Sequence, residues 1–348
     1  MNPEKVTIKD VARLAGVGLG TASRVVSGKG SVSPATLERV KKAIEELDFR
    51  PSHAARSLLS GSSRMIGVYV PVLKGTFYMP ILQTIDSQLR AAGLHMVVAF
   101  GMGVGAGDER RQCIEGIAFL IERGCDGLIV MGDGMVEDDL GELGAKLDCL
   151  VVLNHSFDSI PEQCFSADHA RGGALAARAL LDQGHRALAV VAGPASLPDN
   201  VARIDGFMAE VAAAGIEPGS VWVAESDFSP EGGWAAAREL AGSGYPFTGL
   251  FCANDEMALG ALSYFQQAGI AVPQQVSVVG YDDTPSAEFS APRLTTVHVP
   301  WNDVTHNALN ALLERCYAMP APAARALPVT VTQRASLAPP PRKKIKIK

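Results

Sequence analysis

The sequence predicts a small all-α N-terminal domain followed by an α/β core of two doubly wound parallel-sheet lobes. Three observations predict it. Apolar residues in the first 50 positions recur at helical spacing in three short runs. From Met65 onward, strand-length apolar runs alternate with helix-length segments, which calls for parallel sheets covered by helices. The alternation runs from Met65 to Gly280, long for one open sheet and natural for two.

In the N-terminal domain, Ile8, Val11, Ala12 and Ala15 form one apolar stripe, and Ala22, Val25 and Val26 a second. Gly16 stands between them, where a sharp helix stop needs a positive φ. Two helices this short bury too little surface alone. Residues 34–47 supply a third, with Ser33 as N-cap ahead of Pro34 and with Leu37, Val40, Ile44 and Leu47 turned inward. Three compact helices with a polar second one make a helix-turn-helix DNA reader.

The net charge of −6 looks wrong for such a reader until it is divided along the chain. Residues 1–60 hold ten Lys and Arg against six Asp and Glu, and residues 342–348 hold five bases and no acid. The body between carries −15, so DNA is attracted to the head and repelled by the body, favouring one docking orientation. No apolar stretch reaches the roughly 18 residues of a membrane span. The N-terminus is polar from Asn2 to Lys5, without a secretory signal, so a cytoplasmic protein is expected. Six scattered cysteines fit reduced core thiols better than a disulfide framework or a zinc site.

The expected domains are a reader over 1–50, a hinge and linker over 51–62, a two-lobed core over 63–341 and a basic tail over 342–348. Pro51 disfavours helix at Arg50 and closes the head. Residues 52–59 are helix-competent, but a helix of about eight residues falls below the roughly 12–15 needed for stability in water. In the core, strands are expected at 65–72, 94–100, 127–131, 149–153, 187–191, 221–224, 249–252 and 276–280. Helices are expected at 80–92, 108–123, 138–147, 170–183, 202–214, 231–240 and 256–268. A ligand cleft belongs between the lobes, at the carboxyl ends of the strands.

Val6-Thr7-Ile8-Lys9-Asp10-Val11-Ala12, Ala15-Gly16-Val17 and Thr21-Ala22-Ser23-Arg24-Val25-Val26-Ser27-Gly28 closely resemble the head of the lactose/galactose-repressor (LacI/GalR) family. So do Arg50-Pro51, Gly184-His185, Arg203-Ile204-Asp205-Gly206-Phe207, Ala253-Asn254-Asp255, Gly280-Tyr281-Asp282-Asp283 and Leu294-Thr295-Thr296-Val297. The resemblance implies a periplasmic-binding-protein-like core, a homodimer, double-stranded operator DNA as partner and a small sugar-like effector in the cleft, with no further cofactor. It places Thr7, Leu19, Gly20, Thr21, Ser23 and Arg24 on DNA. The hinge residues Ala55 and Leu58 then enter the minor groove, Leu58 as a wedge between base steps. Gly18 departs from the serine usual there, and Gly20 offers no side chain, which puts base readout on Leu19 and Arg24.

For the effector, the resemblance implies Arg203 as a forked donor, Asp168, Asn254 and Asp282 as polar partners, and Phe228 and Trp301 as ring-covering aromatics. Phe77 and Tyr78 come from the first strand–helix loop, which departs from the family's usual form. This set suits a neutral polyhydroxylated ligand and lacks the cation cluster of a phosphate site. Inducer and corepressor are equally compatible with it. A strong switch needs about 5.5 kcal/mol of differential affinity between two states.

Competing functions have weaker support. Gly101-Met102-Gly103-Val104-Gly105-Ala106 matches a dinucleotide-loop pattern, but Asp126 precedes its strand where the ribose-binding acid should end it. His185 lies in a turn with no nucleophile motif nearby, so an enzyme is not expected. A transport-type sugar-binding protein is the main alternative, and the helix-turn-helix argues against it; a carbohydrate enzyme is the third, and turnover of a ligand bound in the cleft would support it. The C-terminal end has no leucine heptads, so dimers are expected rather than zipper-linked tetramers.

Overall fold

The computed structural model describes residues 6–27, 31–49, 62–102, 108–132 and 134–341. The N-terminal domain contains α1 (Ile8–Leu14), α2 (Leu19–Ser27) and α3 (Pro34–Glu46). Its core is Val11, Ala15, Val40, Ala43 and Phe49, flanked by Ile8, Val25, Val26, Ile44 and Leu47. Gly16 adopts φ +63°, and Ser33 Oγ accepts from the Thr36 amide at 3.3 Å as the N-cap of α3.

The first lobe is a parallel sheet in the order β2-β1-β3-β4-β5. Its strands are β1 (Met65–Val70), β2 (His95–Phe100), β3 (Gly127–Met131), β4 (Leu150–Leu153) and β5 (Cys164–Phe165). Helices α4 (Tyr78–Ala91) and α5 (Glu109–Glu122) cover it. The helix expected at 138–147 is a 3-10 stretch, Glu137–Cys149, interrupted at Gly144.

The second lobe is a six-stranded sheet in the order β11-β10-β9-β8-β6-β7. It holds α6 (His169–Asp182), β6 (Leu188–Ala192), α7 (Pro198–Ala213), β7 (Trp222–Glu225), α8 (Pro230–Gly242), β8 (Gly249–Cys252) and α9 (Asp255–Gln267). It continues through β9 (Ser277–Asp282), α10 (Pro285–Phe289) and β10 (Thr295–His298). Two helix pairs pack backbone to backbone. A Cβ on Gly173 of α6 would lie 1.8 Å from the Arg203 carbonyl oxygen, and one on Gly206 of α7 1.9 Å from that of Ala170. Gly233 of α8 and Gly260 of α9 do the same for their pair, with gaps of 2.2 and 2.0 Å.

The alternation expected from the sequence ends at Gly280, but regular structure continues well past it. The chain crosses back to the first lobe as α11 (Trp301–Tyr317), which packs on α4, β3, β4 and β5. It then returns as β11 (Thr330–Thr332), the antiparallel edge of the second sheet. Each lobe is therefore built from discontinuous stretches, and the crossover passes the strand ends.

Candidate functional site

The expected cleft residues sit at carboxyl ends of strands from both lobes. Arg203 is the most buried of them, at 3% exposure. It lies in the second turn of α7, which begins at Pro198, not at the helix opening that the sequence suggested. Its Nη2 donates to Asp199 Oδ2 at 2.7 Å and its Nη1 to the Ala253 carbonyl at 2.7 Å. The guanidinium lies 4.3 Å from the Tyr281 ring centroid and 5.7 Å from that of Phe228. Phe228 is held over it by a left-handed backbone (φ +64°), and Gly193 leaves room for its ring.

Around Arg203 runs a polar chain that no pattern in the sequence announced. Arg203 Nε stands 3.4 Å from His169 Nδ1, which also meets the Tyr281 hydroxyl at 2.9 Å. His169 Nε2 meets Asn154 Oδ1 at 2.7 Å, and Asn154 Nδ2 donates to Asp199 Oδ2 at 3.0 Å. This network assigns the imidazole proton to Nε2, since two donors face Nδ1. Burial, then Arg203, pushes the His169 pKa down to about 3, which keeps it neutral. Burial opposes ionisation of Asp199, but Arg203 and the Asn154 amide overcome it and hold its pKa low. Asn154 directly follows β4 in the first lobe with φ +62°, and His169 and Asp199 belong to the second, so the chain ties the lobes together.

The other residues form two groups. Trp301 Nε1 donates to Asp282 Oδ1 at 3.3 Å, and its ring stands edge-on to Phe77, 5.2 Å between centroids. Phe77 is in turn edge-on to Tyr78 at 4.9 Å. Asp282 is 6% exposed, ends β9 at φ +102° and caps no helix. Burial raises its pKa to about 7. Asp255 behind it, raised to about 8 by burial and then by Asp282, accepts from the Thr284 amide and from the hydroxyls of Thr284 and Thr296. Asn254 caps α9 through Met257 N–H and donates to the Phe228 carbonyl, so it braces the aromatic. Asp168 is exposed and caps α6 by accepting from the Arg171 amide at 2.9 Å.

In the N-terminal domain, Leu19 is 47% exposed, Gly20 and Arg24 are exposed, and Thr21 and Ser23 are half-buried. Arg24 Nη2 reaches Thr21 Oγ1 at 3.4 Å. Thr7 donates to Asp10 Oδ2 from its amide (3.0 Å) and hydroxyl (2.7 Å), so it first serves the start of α1. A Cβ at Gly18 or Gly20 would have no neighbour within 4 Å, so no described packing demands glycine at either position. Ala55 and Leu58, the basic tail, and positions 103–106 of the glycine loop lie outside the described residues. His185 is buried and bonded to Thr248 Oγ1 and the Ala338 carbonyl, a structural role. Among the described residues no group of three or more His, Cys, Asp or Glu is placed to hold a metal, and no helix is long and apolar enough to cross a membrane.

A helix-turn-helix unit carried on a two-lobed core with a polar interlobe cleft defines a ligand-responsive DNA-binding regulator. Comparison with known proteins gives its family. Residues 7–52 match the model of bacterial regulatory proteins of the lacI family, and residues 177–337 that of a periplasmic binding protein-like domain. The chain is 34% identical to the transcriptional repressor PurR of Vibrio vulnificus (strain CMCP6) over 310 residues, covering 89% of this chain and 91% of that protein. The chain belongs to the LacI family. A LacI-family regulator from Burkhoderia phymatum is 49% identical, with a TM-score of 0.75, covering 79% of this chain and 99% of that one. The lac repressor dimer bound to operator and an anti-inducer is 28% identical, with a TM-score of 0.81, covering 96% and 100%. A family member of Enterococcus faecium with bound ribose is 29% identical, with a TM-score of 0.70, covering 79% and 99%. The protein is thus a DNA-binding transcriptional regulator, and the transport-type alternative falls away.

Proposed function

We propose that this regulator is a cytoplasmic repressor, without enzymatic activity, whose operator affinity is set by a neutral sugar-class ligand held between the lobes. The observation that carries the ligand class is the company Arg203 keeps. Its planar donor fork stands among Asp199, Asp282 and the rings of Phe228 and Tyr281. Donors and acceptors beside flat apolar faces match a pyranose or furanose, which offers hydroxyls at its rim and C–H groups on its face. A phosphate would need clustered cations, whereas the Arg203 guanidinium is already paired with Asp199 and a further carboxyl, Asp282, stands in the cleft. The ribose-bound relative supports the same class. In the N-terminal domain, Leu19 and Arg24 read base edges, and Leu58 wedges the central step.

A thermal-shift screen of the full-length protein tests the class, using aldopentoses, aldohexoses, disaccharides, sugar phosphates and nucleobases. Stabilisation by a neutral sugar, with that sugar recovered unchanged, is the expected result. Stabilisation confined to sugar phosphates or planar nucleobases overturns it.

A further inference from the structure

Asp126 stands in the turn between α5 and β3 and gathers donors from two distant stretches. Its Oδ1 accepts from the Ser63 amide at 2.9 Å. Its Oδ2 accepts from the Ser62 hydroxyl at 2.6 Å, the Arg64 amide at 2.8 Å and the Tyr317 hydroxyl at 2.7 Å. Residues 62–64 are where the chain arriving from the N-terminal domain reaches the core. Arg64 takes a left-handed backbone there, φ +57°, uncommon for a residue with a side chain. Its guanidinium donates to the carbonyls of Gly93 and Ala92, just past the end of α4, at 3.0 and 3.3 Å. The path of the chain at its point of arrival is therefore fixed by side chains of the first lobe.

Tyr317, the fourth donor, is the last residue of α11, and Trp301 in the cleft is the first. A helix of 17 residues is about 25 Å long. One end bonds Asp282 and packs on Phe77; the other bonds the carboxylate that grips residues 62–64. Along its length α11 is bonded to α4, through Asn302 to Thr84 at 2.9 Å, His306 to Gln88 at 2.7 Å and Asn310 to Gln88 at 2.6 Å. These bonds join α11 to α4, and the carbonyls just past the end of α4 accept from the Arg64 guanidinium.

We infer that α11 is the strut linking cleft to DNA-binding domain, and that Tyr317 and Asp126 are the positioning residues that pass its displacement to residues 62–64. That the cleft holds the effector rests on the proposed function. The strut itself is testable without any effector, so the two readings fail separately.

The test is a double-mutant cycle in the full-length protein with Trp301→Phe and Tyr317→Phe. Trp301→Phe removes the donor to Asp282, and Tyr317→Phe removes one hydroxyl and keeps the ring. Two readouts are taken: affinity for a duplex selected from a random DNA pool by the wild-type protein, and hydrogen exchange at the Ser63 and Arg64 amides. Trp301→Phe should shift both by on the order of tenfold, and should shift neither in the Tyr317→Phe background. Asp126→Asn should likewise block transmission, a second route should Tyr317→Phe fold poorly. Additive effects, or a Trp301→Phe protein with unaltered amides and affinity, overturn the inference.

Discussion

Thr76 and Glu256 join the lobes across the mouth of the cleft, the amide and hydroxyl of Thr76 both donating to Glu256 Oε1, at 2.7 and 2.6 Å. Thr76 belongs to the loop between β1 and α4, and Glu256 to the first turn of α9. Lys74 adds an exposed ion pair to Glu231 at 3.4 Å. The contact bridges the two lobes, and Glu256→Ala should therefore speed ligand release. Two partly exposed bonds to one charged oxygen contribute about 1 kcal/mol, roughly fivefold in the dissociation rate. Stopped-flow release of the sugar found by screening measures this, and an unchanged rate rules the latch out.

Arg203→Ala should abolish the effector response, but it should do more than that. The Arg203–Asp199 pair is buried on both sides, at 4% and 8% side-chain exposure. Removing one partner leaves the other charge uncompensated, at a cost of about 3–5 kcal/mol. Denaturant unfolding of the core should therefore move to clearly lower midpoints. Arg203→Ala combined with Asp199→Ala should recover part of that loss while remaining unresponsive. A single variant as stable as wild type would mean the pair is not the closed unit its geometry describes.

Gly206→Ala tests how closely α7 must lie on α6. Its Cβ would fall 1.9 Å from the Ala170 carbonyl, a backbone atom that cannot swing aside. The helices must separate, costing about 1–3 kcal/mol. Because α7 carries Asp199 and Arg203, ligand affinity should fall along with stability. Calorimetric titration showing wild-type affinity at reduced stability would show that the cleft tolerates the shift.

Alongside Asp255 behind it, Asp282 contributes a pH response that a single substitution isolates. Its carboxyl titrates near 3.8 in the open chain and at about 7 when folded, because burial disfavours its charge. Between those values the unfolded chain binds fewer protons than the folded one, so Asp282's contribution to stability falls as pH rises from about 4 to 7 and is level above. His169, lowered from 6.5 to about 3 by burial, tilts the other way over its own window. The difference between Asp282→Asn and wild type separates them. The variant should gain on wild type from pH 4 to 7, measured by urea midpoints. A pH-independent difference would place the titration elsewhere.

The alternating core was legible because each strand is a short apolar run bounded by a helix signal, and β6 and β8 fall within a residue of expectation. α11 was not: the expected elements stop at Gly280, the family matches stop at Val297, and Trp301 stands beyond them only as an isolated aromatic. The resemblance gave Arg203, Asp282, Phe228 and Trp301. It did not give Asn154, His169 or Asp199, whose role rests on a contact between lobes that no spacing in the chain encodes. The same holds for Asp126, which meets Ser62 and Tyr317 from 64 and 191 residues away.

Gly20 tests what the bare recognition helix is for. It is the second residue of α2, where glycine costs up to about 1 kcal/mol against alanine, and a Cβ there would touch nothing within 4 Å. Packing within the described residues gives no reason for it, and the prediction is that the glycine serves as clearance for DNA. Gly20→Ala should raise the stability of the N-terminal domain by about 0.5–1 kcal/mol and still weaken binding to the selected duplex. Arg24→Ala, made alongside, should lose discrimination at one base position; a uniform loss with a salt slope reduced by about one would make Arg24 a phosphate contact. If Gly20→Ala binds the duplex as tightly as wild type, the glycine is not a clearance for DNA.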